Sequence, residues 1–159
     1  LFWVINLVSA LLAGITINAL FAFGEEIGWR GYLLQQFKGQ SFWKASLLIG
    51  AIWGIWHAPI ILMGHNYPQH PVAGVGMMLL FCMAISPILT WLRMKSKSVV
   101  VTAIAHGTLN ASAGFSLLCL SGGSDLLTGM TGCVGIGLCV LVDVLIYLFD
   151  KPKVCLMSE

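Results

Sequence analysis

The sequence predicts an all-α fold, a polytopic transmembrane helical bundle of about five spans. Apolar residues fill 58% of the 159 positions, charged residues only 9%, and the mean hydropathy is +0.93. Soluble domains carry charged residues at roughly a quarter of their positions. The composition therefore excludes a soluble globular domain, and a net charge of only +2 gives no reason to expect a nucleic-acid partner.

The apolar segments follow one another along the chain, and each is long enough to cross a bilayer as a helix of ~20 residues. The first begins at Leu1, and the four later ones are Phe42–Gly64, Val72–Leu92, Val99–Leu120 and Gly132–Phe149. No repeat or soluble domain is visible, so residues 1–159 are interpreted as a single membrane-embedded domain. Because Leu1 is apolar, is not Met and is not followed by the features of a signal peptide, we expect further spans upstream.

Basic residues occupy alternate loops. The loops "HNYPQHP" and "SGGSDLLTG" contain neither Lys nor Arg, whereas the other connections and the C-terminus carry Lys38, Lys44, Arg93, Lys95, Lys97, Lys151 and Lys153. The positive-inside rule then predicts a multi-pass protein of the cell membrane whose basic loops and C-terminus face the cytoplasm.

The end of the first span decides the environment of the charges in "FGEEIGWRGYLL". A span that ends at Phe23 leaves these charges in a loop, whereas one that continues to Phe37 buries them. At ~1.5 Å per residue, Glu25 and His57 each lie about 20 Å from the basic end of their own helix, and His106 lies roughly 14 Å from the basic end of its helix. Because these depths are similar, we predict that the first span ends near Phe37.

Three charges lie within six residues of this span. Glu26 and Arg30 are i, i+4 neighbours that can pair, whereas Glu25 is turned about 100° away and is left to face a cavity. Buried charges cost several kcal/mol in a membrane unless they are compensated. The cluster therefore indicates a functional site rather than an ordinary interfacial ion pair.

Two histidines lie at comparable depth on other spans. His57 follows Trp53 by one turn, with Pro59 placed to bend or end the helix, and His106 precedes Asn110 by one turn. A single membrane histidine usually packs against its neighbours. Two of them at the depth of a Glu pair favour a shared site, in which the Asn110 amide can donate to an oxyanion or hydrogen-bond a neighbouring helix.

Other polar residues carry weaker signals. His65 and His70 share a loop without an acidic neighbour in sequence, so a metal role is not expected, and Asp143 in the last span is a candidate ion-pair partner or proton relay. The cysteines lack any metal-like spacing and are interpreted as buried thiols: Cys82, Cys119, Cys133, Cys139 and Cys155.

The motifs resemble those of the CAAX prenyl protease and bacteriocin-processing (Abi, CPBP) family of intramembrane proteases. The resemblance covers about Phe21–Ala113, which corresponds to the family's catalytic core, and "GEEIGWRGYLL" is similar to the prokaryotic branch. The second motif usually begins with Phe, where this chain has Trp53. The matching residues, each motif on its own span and in this order, are Glu25, Glu26 and Arg30, then Trp53 and His57, then His106 and Asn110.

The resemblance implies an endopeptidase that hydrolyses a membrane-associated protein or peptide by water activated inside the membrane. Glu25 would be the general base, and His57, His106 and Asn110 would position the water or stabilise the oxyanion. The expected partners are a peptide or protein substrate and membrane lipid. Zinc held by Glu25, His57 and His106 is the alternative, but no H-E-x-x-H or other compact ligand motif occurs, so we favour catalysis without a cofactor.

Two other functions use the same polar residues. A membrane b-type cytochrome would take His57 and His106 as axial haem ligands, which leaves the Glu pair without a role. A transporter would use Glu25, His57, His106 and Asp143 as a proton path.

Overall fold

The computed structural model describes residues 1–119 and 122–153, with side chains described for 1–113 and 122–153. These ranges contain helices and no strand, so the all-α class is confirmed. The helices are α1 (Phe2–Gln36), α2 (Phe42–Trp56), α3 (Ala58–Leu62), α4 (Pro71–Ser96), α5 (Val99–Cys119) and α6 (Cys133–Asp150).

The helices correspond closely to the predicted spans. Helices α1, α4 and α6 are long and apolar enough to cross a membrane, and α2 and α5 are shorter apolar helices. Leu120, the predicted end of the fourth span, lies outside the described residues. Helix α1 continues past the charged cluster to Gln36, which confirms that the first span ends near Phe37.

Helix α1 is not uniformly α-helical. Two stretches, Gly14–Asn18 and Ile27–Leu33, have π-helical hydrogen bonding. Such wider turns rotate the following side chains around the axis and occur frequently at functional sites. The second stretch contains Arg30 and directly follows Glu26.

The second predicted span is interrupted at His57. Helix α2 ends at Trp56, and His57 caps both this helix and the start of α3. Pro59 lies in the first turn of α3, where its missing N–H removes no helical hydrogen bond. The His57 imidazole therefore lies at the junction of two helices rather than within one continuous helix.

Helix α4 lies at the centre of the bundle. It packs against α2, α3, α5 and α6, while α1 packs mainly along α5. Half of the most apolar 18-residue window of α4 is buried, against 11% of the corresponding windows of α1 and α6. The two outer helices thus present their apolar side chains to the surroundings, as a lipid-facing surface requires.

Helices α1 and α5 approach closely beside the charged cluster. A Cβ atom on Gly107 would lie 2.6 Å from the Ala19 Cα atom, closer than real Cβ contacts allow. Small residues at such crossings let backbones come together in membranes. The absence of a side chain at Gly107 therefore lets the residue before it, His106, reach α1.

We expect Gly107→Ala to destabilise the protein by ~1–3 kcal/mol, because the added methyl group must push two backbones apart. The measurement is the thermal unfolding midpoint in detergent. Gly76→Ala is the matched control, since a Cβ atom on Gly76 of α4 meets nothing within 4 Å. Equal midpoints for the two variants would contradict this view of the crossing.

Candidate active site

A buried ionic cluster joins α1 to α5. Arg30 Nη1 donates to Glu26 Oε1 at 3.0 Å, and both side chains are 0% exposed. The Nδ1 atom of His106 lies 2.9 Å from the same oxygen. The predicted Glu26–Arg30 pair is therefore confirmed, with His106 as a third member.

The cluster is only partly satisfied. Glu26 Oε2 and the Nε and Nη2 atoms of Arg30 are buried without a hydrogen-bond partner in the described part of the chain. The Arg30 guanidinium lies over the Trp53 ring, with Cζ 4.9 Å from the ring centroid, which is cation–π geometry. Each charge thus depends on few partners, and loss of one leaves another uncompensated in the interior.

Glu25 points away from this cluster, as its position one residue earlier predicts. It is half-buried and lines a cavity, but it is not free, since Trp53 Nε1 donates to Glu25 Oε2 at 2.8 Å. This bond fixes one carboxylate oxygen and leaves Oε1 as the oxygen that can accept a proton from water. Glu25 is thereby oriented by α2, not by its own helix.

Trp53 connects most of the candidate residues. Its ring centroid lies 5.7 Å from that of His57 and 5.1 Å from that of His106, and its backbone oxygen lies 2.9 Å from His57 Nδ1. The sequence motif had identified Trp53 only as an aromatic neighbour of His57. Its contact with Glu25 could have been predicted from the indole N–H, because Trp carries a hydrogen-bond donor that Phe lacks.

The hydrogen-bond partners indicate the histidine tautomers. The Nδ1 atoms of both His57 and His106 face acceptors, a carbonyl and a carboxylate, so each Nδ1 carries the proton. In a neutral imidazole the Nε2 atom is then an acceptor. Both histidines line the cavity and can offer this lone pair to it.

The cavity has a volume of about 1150 Å³. It gathers four of the predicted residues, Glu25 from α1, His57 from the junction of α2 and α3, and His106 and Asn110 from α5. Glu26 and Arg30 are buried and do not line it. The lining also includes Asn18 of α1 and Cys82 of α4, whose polar or nucleophilic side chains the sequence motifs did not identify. Asn18 precedes Glu25 by seven residues, about two helical turns, and this spacing could have identified it.

Cys82 contributes a thiol to the same wall. Its Sγ atom lies 3.9 Å from His57 Nδ1 and is buried, which agrees with the interpretation as a buried thiol. Cys139 is half-buried, but Cys133 is exposed at the start of α6, so that part of the interpretation was wrong. The Cys119 and Cys155 side chains lie outside the described residues.

The remaining predicted polar residues lie elsewhere. His70 Nδ1 lies 2.7 Å from Asp125 Oδ1, an acidic partner that comes from a distant loop and that the sequence around His70 does not show. Asp143 does not line the cavity, and its Oδ1 is buried without a hydrogen-bond partner in the described ranges. A proton path from Glu25 through both histidines to Asp143 is therefore not continuous along this cavity.

The geometry also bears on the haem and zinc alternatives. In the haem alternative both histidines would be axial ligands, but the Nδ1 atoms of His57 and His106 are engaged by the Trp53 carbonyl and the Glu26 carboxylate, and the Trp53 ring packs against both imidazoles. For zinc, the hydrogen bonds from the histidine Nδ1 atoms to a carbonyl and a carboxylate are of the kind that orients metal-binding histidines. Among the described side chains, no three of His, Cys, Asp and Glu lie together at metal-binding distance.

Comparisons with known proteins agree with these motifs. The profile of the family described as "Rce1-like: Type II CAAX prenyl endopeptidase Rce1-like" matches residues 3–112, a range that includes every residue of the predicted protease site, from Glu25 to Asn110. The chain is 33% identical over 134 residues to a protein of Methanococcus maripaludis named CAAX prenyl protease 2. This match covers 80% of the present chain and 46% of the relative, so the chain spans about half of that protein's length.

No solved structure matches the chain. The family profile nevertheless covers well over half of the chain, and the Methanococcus protein is 33% identical over 80% of it. The chain therefore belongs to the Rce1-like family of type II CAAX prenyl endopeptidases.

Proposed function

We propose that the protein is an intramembrane endopeptidase that hydrolyses a peptide bond of a membrane-associated protein or peptide by water activated at Glu25. The observation that carries this proposal is the anchored carboxylate of Glu25 on the wall of a cavity that also holds His57, His106 and Asn110. Family membership supports the reaction class. A cavity of this size admits several residues of an extended peptide, since pockets for small ligands occupy ~300–1,000 Å³.

The proposed reaction uses Glu25 as a general base. Its Oε1 takes a proton from a water molecule, whose oxygen attacks the scissile carbonyl carbon to form a tetrahedral oxyanion. When the C–N bond breaks, the same proton passes from Glu25 to the departing amine, which leaves a carboxylic acid and an amine as products. Trp53 holds the carboxylate in place through Oε2 throughout.

The other cavity residues have separate tasks in this scheme. With their Nδ1 protons engaged, His57 and His106 can accept hydrogen bonds at Nε2 and so orient the attacking water. The Asn110 amide is a donor on the same wall and can bind the oxyanion. Glu26 and Arg30 maintain the arrangement of α1, α2 and α5 from behind.

We expect Asn110→Ala to lower kcat by ~10²–10³ with a smaller change in KM, because an oxyanion donor acts mainly in the transition state. Ser112→Ala is the control on the same helix, since the Ser112 hydroxyl bonds to the Thr108 backbone oxygen and does not line the cavity. Steady-state cleavage of one peptide substrate by both variants measures the effect. Similar losses of kcat in the two variants would contradict the assignment of Asn110 as the oxyanion donor.

Cys82 offers a second mechanism, a Cys–His nucleophile, because its thiol lies near His57 in the cavity. The imidazole nitrogen that contacts the thiol is Nδ1, however, and that atom faces the Trp53 carbonyl, to which it donates its proton. It therefore has no lone pair with which to take the thiol proton. We favour Glu25 as the activating group for this reason.

We also propose that the reaction requires no metal. The support is the donor arrangement: the described His, Cys, Asp and Glu side chains form no group that could hold an ion with three ligands. Glu25 and both histidines are held by other hydrogen bonds instead.

The test of the proposed function is cleavage of a peptide library by the purified full-length protein after prolonged chelation, with products identified by mass spectrometry. We expect cleavage to persist and the transition-metal content to be well below one equivalent. Stoichiometric zinc that disappears together with activity in His57→Ala or His106→Ala would overturn the metal-free mechanism. Glu25→Gln, which retains the neighbouring histidines, serves as the inactive control.

The membrane orientation is a further part of the proposal. The Lys residues outside the helices lie at one end of the bundle, in the α1–α2 and α4–α5 connections and after α6. Arg93, in the last turn of α4, lies at the same end. The positive-inside rule then assigns this end to the cytoplasm. The opposite end carries the connection between α3 and α4 and the connection between α5 and α6.

A further inference from the structure

The basic residues gather at one end of the bundle. Seven of the eight Lys and Arg residues lie there, and the eighth, Arg30, belongs to the buried cluster. Among the described residues, Asp150 is the only carboxylate at this end. It already accepts from Lys95 Nζ at 2.6 Å and from Trp91 Nε1 at 2.9 Å. This end therefore carries positive charge that the described part of the protein does not neutralise.

The segment that follows α6 brings two of these lysines to the start of α2. Lys151 has a φ of 48°, a left-handed conformation that ends the helix and turns the chain. The Phe42 backbone N–H donates to the Lys153 carbonyl at 3.2 Å. The Trp43 and Tyr147 rings also meet, with their centroids 6.2 Å apart. A backbone hydrogen bond and an aromatic contact thus join α2 to α6 and the residues after it.

Three lysines flank this junction, and we call them the lysine site: Lys44, Lys151 and Lys153. Lys44 follows Trp43 directly in the first turn of α2, and all three lysine side chains are exposed. None of the three forms an ion pair with a carboxylate in the part of the chain that the structure describes. Because like charges repel, three ammonium groups at one junction are stabilised by an anion that binds among them.

Exposed apolar side chains continue from the lysine site along both helices. Leu48 lies one turn from Lys44 on the same face of α2, and Leu148 and Phe149 lie near the end of α6. Tyr147 is exposed as well, and tyrosine is enriched where acyl chains meet headgroups. The surface therefore combines cations with an adjoining apolar strip, which fits an amphiphile with an anionic head better than a soluble anion.

We propose that the lysine site binds the headgroup phosphate of an anionic phospholipid, whose acyl chains lie along the exposed apolar side chains of α2 and α6. Neither the three lysines nor Trp43 and Tyr147 line the cavity, so this surface is distinct from the candidate active site. A phosphate that pairs with both Lys44 and Lys153 links the start of α2 to the segment after α6. The lipid therefore stabilises the junction at which it binds.

The test is native mass spectrometry of the purified full-length protein with phosphatidylglycerol and, separately, phosphatidylcholine. Lys44→Gln removes one cation of the lysine site, and Lys153→Gln removes another in case the first variant does not fold. Lys97→Gln is the matched control, because Lys97 is exposed at the same end but lies in the α4–α5 connection, and α5 packs mainly against α1. Inorganic phosphate, added as a competitor, distinguishes a lipid site from a site for a soluble anion.

We expect the wild type to bind phosphatidylglycerol more tightly than phosphatidylcholine by at least ~10-fold, since each lysine near the surface contributes ~5-fold to affinity for an anionic lipid. Lys44→Gln and Lys153→Gln should each lower the phosphatidylglycerol affinity by ~5-fold, and Lys97→Gln should leave it nearly unchanged. The affinity for phosphatidylcholine should be nearly the same in all variants.

Equal affinities of the wild type for the two lipids would overturn the proposal. Equal losses in Lys97→Gln and Lys44→Gln would also overturn it, because the attraction would then come from the whole basic end rather than from the lysine site. Displacement of the lipid by inorganic phosphate at equal concentration would identify a soluble anion as the ligand. Lipid binding requires no cleavage, so the result is independent of the proposed peptidase reaction.

Discussion

Arg30→Ala is expected to lower the free energy of unfolding by ~3–5 kcal/mol, the cost of leaving a buried charge without its partner. Glu26 is 0% exposed, and one of its oxygens already lacks a partner in the described ranges. Without Arg30, the hydrogen bond from His106 is the remaining polar contact of Glu26 Oε1. The substitution also removes the guanidinium from the Trp53 ring. The yield of folded protein and the unfolding midpoint in detergent measure the loss.

Lys95→Ala is the matched control for this prediction. Lys95 Nζ pairs with Asp150 Oδ1 at 2.6 Å, but both side chains are substantially exposed, and exposed ion pairs contribute little to stability. We expect its midpoint to remain close to that of the wild type. If Arg30→Ala behaved like Lys95→Ala, the buried cluster would not be the support of α1 that the structure indicates.

Glu25→Gln is expected to retain the fold and to lose turnover by ~10²–10⁴, the range that a general base contributes. The amide has the shape of the carboxylate, and its oxygen can still accept from Trp53 Nε1. It cannot take a proton from water at neutral pH. The unfolding midpoint and the rate of peptide cleavage, measured on the same preparation, separate the two effects.

Glu26→Gln provides the comparison for Glu25→Gln. The change is chemically the same and only one residue away, but it removes the charge that Arg30 and His106 share. We expect Glu26→Gln to lower the unfolding midpoint and Glu25→Gln to leave it nearly unchanged. Equal loss of folded protein in the two variants would mean that Glu25 also supports the scaffold.

Local patterns in the sequence were sufficient for the helices and for the first ion pair. Hydropathy delimits the spans, and the helical period predicts that Glu26 pairs with Arg30 and that Glu25 points elsewhere. The extension of α1 to Gln36 followed from the depth of the polar residues. Each of these predictions depends on neighbours within one or two helical turns.

Contacts between helices could not be predicted in the same way. The contact of His106 with Glu26 depends on the close approach of α5 to α1 at Gly107, and the two residues lie eighty positions apart in the chain. The bond from Trp53 to Glu25 and the pair formed by His70 with Asp125 likewise join distant segments. No periodicity encodes such pairs, because they arise from packing of whole helices and loops.

The most direct measurement is the initial rate of peptide cleavage by equal amounts of folded wild-type protein and Glu25→Gln, with chelator present throughout. The account predicts steady cleavage by the wild type and a rate at least ~10²-fold lower for Glu25→Gln, because only the carboxylate can act as general base. A folded Glu25→Gln protein that cleaves at the wild-type rate would contradict the assignment of Glu25 as the base.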